Sequence, residues 1–335
     1  MHPLVIFLIV ALSTAAVFAV FCMIMVLIVY KKMFGYHFTH DPLVTTYTPE
    51  IVGVTSTPIE IDLSGEMIRG GLYSPKSGDT DKSKLVILCH GMWGSHMSYM
   101  QEVGYLCSSG FDVLAFDYIG TAASDGKTLG GFGQSLRCLD RVVKYAKSSP
   151  ELSHREIWAF GHSWGGYAVT NIVKFHPDIT GIVALAPAAS FEAVAKNVFP
   201  KGIHFLIPAA KLTDRIKMGR FANQTALKSL ENYGGKALFI HSVDDPMCPY
   251  ITTTGAVKDK YGDRFDYLIL KDKGHNPQYT YEGLALMRDY SNTMKKIATE
   301  DERNEYKKST DFLKMGALAP EIMDAAVEFI KNSIE

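Results

Sequence analysis

Hydrophobic positions fall into three regimes along the chain. Residues 4–30 carry no charged side chain, a run of about 27 residues that would extend about 40 Å as a helix. Beyond residue 50, short apolar runs alternate with longer segments whose apolar residues recur every three or four positions. Strands are predicted over 58–63, 67–73, 84–89, 111–116, 156–160, 180–186, 236–241 and 265–270, and helices near 97–108, 131–148, 164–175, 250–259, 280–298 and 319–333. The stretch Lys84-Leu85-Val86-Ile87-Leu88-Cys89 is continuously apolar after its first residue, as a strand buried on both faces should be. The early pair around Gly70-Gly71 reads as a hairpin ahead of a parallel βαβ series. The third regime, 299–308, mixes both charges and reads as a solvated helix or linker. Together the pattern predicts an α/β fold, a mostly parallel sheet flanked by helices, whose alternation lapses over 188–235.

Candidate chemistry enters at Gly161-His162-Ser163-Trp164-Gly165-Gly166, between a predicted strand and a predicted helix. A serine with glycines two residues to either side suits a sharp strand-to-helix turn that holds its hydroxyl exposed. A serine hydroxyl is a poor nucleophile at neutral pH. It needs a neutral imidazole to take its proton, and the imidazole needs a carboxylate to fix its tautomer. Hydrolases built on such an elbow order these groups serine, acid, histidine. His176, His204, His241 and His275 follow Ser163. The turn Ser242-Val243-Asp244-Asp245-Pro246 offers an acid at a strand end, and only His275 lies beyond it, in a Gly274-His275-Asn276-Pro277 loop. Spacing leaves Asp244 and Asp245 both open. His162, His176 and His241 read as packing or surface residues. The backbone N–H of Trp164, at the start of the elbow helix, is placed to bind a developing oxyanion.

The stretch from about residue 85 to 277 resembles the α/β-hydrolase superfamily, especially its serine esterase, lysophospholipase and S33-type aminopeptidase branch. The resemblance implies an α/β-hydrolase fold with a Ser163, Asp245, His275 triad. The acid loop of that branch, His-Gly-x-x-Asp-x-x-Val-Pro, laid onto residues 241–249 puts the acid at Asp245; Ser242 and Cys248 depart from it. His90-Gly91-Met92-Trp93-Gly94 resembles the branch's His-Gly-x-x-Gly loop, which implies that Met92 supplies the second oxyanion N–H, with His90 and Gly91 supporting it. Phe116-Asp117-Tyr118-Ile119-Gly120 looks like a further family loop, with Ile119 where arginine is usual. By the same resemblance, 188–235 is a cap inserted over the site, within a core of 50–187 and 236–335. The implied activity is hydrolysis of carboxylic esters, with a small-molecule or lipid ester as substrate and no cofactor or metal. An aminopeptidase or amidase on the same triad, holding a free amine with Glu192, Asp214 or Glu231 of the cap, is the rival activity. A membrane-tethered module that binds without catalysis is the rival class.

Composition narrows the setting. The 4–30 run exceeds the roughly 30 Å core of a bilayer and the apolar core of a cleaved signal peptide, so residues 1–32 are expected to be a permanent single-pass anchor, followed by a juxtamembrane linker at 33–49. Lys31 and Lys32 close the run, which favours a cytoplasmic catalytic domain. A formal net charge of -1 gives no reason to expect a nucleic-acid partner. The five cysteines form no CxxC or metal-spaced pair, which disfavours both disulfide frameworks and zinc sites.

Overall fold

The computed structural model describes residues 2–76 and 80–332. Eight strands form one sheet: β1 (Val54–Leu63), β2 (Glu66–Pro75), β3 (Lys84–Cys89), β4 (Asp112–Phe116), β5 (Glu156–His162), β6 (Gly181–Leu185), β7 (Lys236–Ser242) and β8 (Asp266–Leu270). Their order is β1-β2-β4-β3-β5-β6-β7-β8. The β1–β2 and β2–β4 pairings are antiparallel and all the others parallel. The helices are α1 (Pro3–Phe34), α2 (Met100–Ser108), α3 (Gln134–Ser148), α4 (Trp164–Ile172), α5 (Phe191–Val198), α6 (Ile207–Met218), α7 (Ala226–Ser229), α8 (Thr254–Tyr261), α9 (Tyr281–Lys296), α10 (Glu300–Ser309), α11 (Phe312–Met315) and α12 (Pro320–Lys331).

Strands β3, β4 and β6 are buried at every residue. Their continuous apolar runs follow from that, because helices cover both faces of a parallel sheet. One core packs α3 and α4 on one face, around Leu85, Ile87, Leu114 and Ile182. The other packs α2 and α12 on the opposite face, around Val86, Leu88, Val113 and Trp158. The predicted early hairpin exists, but it turns at Ser64-Gly65, where both residues have positive φ as a two-residue hairpin loop requires. Gly70 instead lies within β2, where a Cβ would come within 2.2 Å of the Ala115 carbonyl oxygen on β4.

Parallel strands direct their carboxyl ends to one edge, and the loops leaving β3, β5, β7 and β8 meet there. Between β6 and β7 the chain departs to form α5, a 3₁₀ turn at 201–206, α6 and α7. The sequence pattern shows only an interruption here, because Pro200 and Pro208 break the segment into pieces too short to display a period. By length and composition α1 is able to cross a membrane. It runs on to Phe34, and its C-terminal part packs on the α5–α6 region: Val26, Tyr30 and Phe34 are buried, and the Tyr30 hydroxyl donates to Asp214 Oδ1 at 2.8 Å. The following stretch is stitched to the core, with Phe38 N donating to Gly120 O and Leu129 N to Tyr36 O, both at 2.9 Å.

Candidate active site

Ser163 sits between β5 and α4 with φ 56 and ψ -111. That backbone conformation is strained for any residue with a Cβ and persists only where the surroundings impose it. Here two glycines permit the turn. A Cβ on Gly161 would lie 2.5 Å from the Gly165 carbonyl, and one on Gly165 would lie 2.0 Å from the Cys89 carbonyl oxygen of β3. Helix and strands therefore pack backbone against backbone, which fixes where the serine side chain emerges.

The loops after β7 and β8 bring two further groups to it. His275 Nε2 lies 2.9 Å from Ser163 Oγ, and His275 Nδ1 lies 2.8 Å from Asp245 Oδ2. Both contacts fit one tautomer: Nδ1–H donates to the carboxylate, leaving Nε2 free to accept the serine proton. The Asp245 side chain is fully buried. Burial raises its pKa, but hydrogen bonds from His241 and His275 outweigh that and hold it well below the usual carboxylate range. Its Oδ1 accepts the backbone N–H groups of Met247 at 2.8 Å and Cys248 at 2.9 Å. Asp244 faces elsewhere, accepting the Ser242 hydroxyl and the Gly274 N–H, and so braces the histidine loop.

The loop after β3 carries the other expected group. His90 is buried, and burial pushes its pKa down to about 4, so the ring is neutral. Its Nδ1–H donates to Gly91 O at 2.7 Å. The same trans peptide carries the Met92 N–H, which points the opposite way from that oxygen, so His90 sets the direction of the Met92 amide. Trp164 N is at the first position of α4 and has no intrahelical acceptor. Met92, Ser163, Trp164 and His275 all line one cavity of about 330 Å³.

Residues 80–252 match the family model described as serine aminopeptidase, S33. The chain belongs to this family of α/β-hydrolases. Among curated relatives, the bifunctional epoxide hydrolase 2 of Rattus norvegicus is 27% identical over 147 residues, 40% of this chain and 26% of that protein. Its Sus scrofa counterpart is 32% identical over 100 residues, 30% of this chain and 17% of that one. The chain thus spans about a quarter or less of the length of these relatives. Among solved structures, a Pyrococcus furiosus esterase superposes with a TM-score of 0.56 at 16% identity, covering 89% of this chain and 98% of that one. Est1E from Butyrivibrio proteoclasticus superposes with a TM-score of 0.53 at 18% identity, covering 83% and 98%. At such identities these likenesses show the fold.

Within this S33-family hydrolase, two histidines expected to be packing or surface residues touch the site directly. His162 is buried next to Ser163, and burial together with the nearby His275 pushes its pKa down to about 3. Its Nε2–H donates to the His275 carbonyl at 2.8 Å, and its Nδ1 accepts the Tyr99 hydroxyl at 2.7 Å. Tyr99 in turn accepts the Gly91 N–H at 3.0 Å. One chain of bonds thereby ties the Gly91–Met92 loop to the His275 loop across the elbow. His241 Nε2 lies 3.1 Å from Asp245 Oδ2 and 2.9 Å from Cys248 O, while its Nδ1 meets the Thr254 hydroxyl at 2.8 Å. The signal for His241 was present in the acid-loop motif itself, which begins with a histidine. Nothing in the sequence marks Tyr99. Cys248 lies with Asp245 and His275 in a cluster of potential metal ligands. Burial pushes its thiol pKa up, and the carboxylate and imidazole are already engaged, so this donor set fits a cation poorly.

Proposed function

We propose that this hydrolase is anchored in a membrane by α1 and cleaves carboxylic esters with lipophilic acyl groups. Ser163 Oγ attacks the acyl carbonyl while His275 Nε2 takes its proton and Asp245 holds the ring in the required tautomer. The Met92 and Trp164 N–H groups bind the oxyanion of the tetrahedral intermediate. Its collapse passes the proton from His275 to the leaving alcohol and leaves an acyl-serine. Water activated by the same imidazole then releases the acid. Residues 188–235 act as a cap over this site. The continuous run of α1, longer than the apolar core of a signal peptide, supports a permanent anchor, and Lys31 and Lys32 support a cytoplasmic catalytic domain.

The observation that carries this reading is the Asp245–His275–Ser163 line opening into a cavity walled by Phe132, Phe191, Val194, Val198 and Phe199. The family description favours a second reading, an aminopeptidase on the same three residues. That reaction needs a carboxylate to hold the substrate's amine, and none lines the cavity among the described residues. Glu192 is paired with Lys196 and Lys211, Asp214 is committed to Tyr30 and Phe132 N, and Glu231 is exposed. A panel of p-nitrophenyl acyl esters against aminoacyl-anilides on the full-length protein separates the two. Ester turnover that rises with acyl length and vanishes in Ser163→Ala is expected. Preferential cleavage of the anilides overturns the ester reading.

A further inference from the structure

We propose that α1 is also part of the substrate site: its last turns and the cap form a lateral port through which the acyl chain of a bilayer lipid ester reaches Ser163. This deepens the ester-hydrolase reading and rests on it. A second cavity, narrow at about 40 Å³, runs between α1 and the cap. Its walls are Val26, Val29 and Tyr30 on one side and Leu206, Ile207 and Ala210 on the other. All are apolar or aromatic, and the one hydroxyl, on Tyr30, is occupied by Asp214. Such a slot admits a single alkyl chain and offers nothing to a polar headgroup.

The slot abuts the cavity at Ser163. Met33, Phe191, Ala195 and Phe199 line both, so a few side chains form the partition between them. Met33, from α1 itself, is unbranched and adapts readily to an inserted chain. A cavity of about 330 Å³ is at the small end of ligand sites, so a long acyl chain extends beyond it, and this partition, apolar on both sides, is the exit that suits an alkyl chain.

Depth points to where the chain comes from. Lys31 and Lys32 mark the polar boundary of the span, and Val26 lies five residues earlier, about 7 Å further into the membrane along the helix axis. The slot thus begins near headgroup level and runs toward hydrocarbon. The cap presents matching surface beside it: Phe205 stacks on Phe18 of α1, and Phe205, Leu212 and Ile216 are 57%, 51% and 74% exposed. Aqueous solvent penalises such a cluster, whereas lipid does not. A loose tether would not order these contacts. The Tyr30–Asp214 bond, with Asp214 Oδ1 also accepting Phe132 N at 2.9 Å, locks α1 to a segment that lines the catalytic cavity.

The test uses the full-length protein in phosphatidylcholine vesicles, with p-nitrophenyl palmitate in the bilayer and p-nitrophenyl acetate added from water. Val29→Trp fills the slot from the α1 side and Ala210→Trp from the cap side. Each should lower the palmitate-to-acetate ratio of kcat/KM by at least about tenfold, since each excludes several methylenes from an apolar site. Labelling by a small fluorophosphonate shows that the elbow is intact; if Val29→Trp loses it, Ala210→Trp decides. A ratio within about twofold of wild type in a labelled variant overturns the port while leaving the ester reading intact. Wild-type protein that hydrolyses neither ester and takes up no label overturns that reading and the port with it.

Discussion

Replacing Asp245 by Asn changes one atom at the buried end of the site, and the consequence can be worked through bond by bond. The carboxylate accepts on both oxygens: Oδ2 faces His275 Nδ1 at 2.8 Å and His241 Nε2 at 3.1 Å, and Oδ1 faces two backbone N–H groups. An amide has a single acceptor oxygen. The fixed backbone donors of Met247 and Cys248 claim it, which turns the NH₂ toward two imidazoles that are themselves donors. His275 escapes the clash by adopting the other tautomer, in which Nδ1 accepts and Nε2 carries the proton. Nε2 then has no lone pair for the Ser163 hydroxyl. The same exchange in a serine-protease triad lowers kcat about 10⁴-fold, so a loss of about 10³ to 10⁴, or about 4 to 5.5 kcal/mol of barrier, is expected here. KM should hold, because Asp245 does not line the cavity. The assay is p-nitrophenyl acetate hydrolysis by detergent-solubilised full-length protein, with Asp244→Asn alongside. Asp244 braces Gly274 rather than the imidazole, and its replacement should cost no more than about tenfold. An Asp245→Asn enzyme within tenfold of wild type, or an Asp244→Asn enzyme that is the more impaired, refutes the assignment.

Other perturbations test the supporting structure. Tyr99→Phe strands the Gly91 N–H and His162 Nδ1 in a buried site; urea unfolding should show a loss of about 1–3 kcal/mol, with kcat reduced as the Gly91–Met92 loop loosens. Gly165→Ala forces a Cβ against the Cys89 carbonyl oxygen, and should abolish fluorophosphonate labelling and lower the Tm. Stability should also depend on pH through His162 and His90, whose pKa values burial lowers to about 3 and about 4. Between those values and about 6.5 the unfolded chain binds protons that the folded chain does not, so stability is lost as pH falls through this window, by about 1.4 kcal/mol per pH unit for each histidine. Urea midpoints at pH 7 and pH 5 measure the effect, and His162→Asn should remove about one proton's share of it; an undiminished slope contradicts a neutral buried His162.

The sheet was readable because strands buried on both faces have no choice but continuous apolar sequence, as at 85–89 and 237–240. The elbow was readable because a Cβ at 165 would lie 2.0 Å from the Cys89 carbonyl oxygen, which excludes any residue but glycine there. Choosing Asp245 over Asp244 needed a family pattern, since adjacent carboxylates in a turn have the same local chemistry. Other features have no local signature. Tyr99 and His162 are 63 residues apart and meet only because the turn following β3 lies beside the end of the neighbouring parallel strand β5. Asp214, expected in the sequence reading as a candidate amine holder, is taken up by Tyr30, 184 residues away. Residues 4–30 are long and apolar enough to cross a membrane, and that uniform hydrophobicity conceals the specific face of α1, Val26, Tyr30 and Phe34, that docks on the rest of the molecule.

In an ester hydrolase of this build the hydroxyl of Ser163 is the atom that becomes acylated. Mass spectrometry of full-length protein treated with a fluorophosphonate, followed by peptide mapping, measures this directly. A single adduct on Ser163, absent from Ser163→Ala, is predicted. An adduct on a different residue, or continued ester hydrolysis by Ser163→Ala, contradicts it.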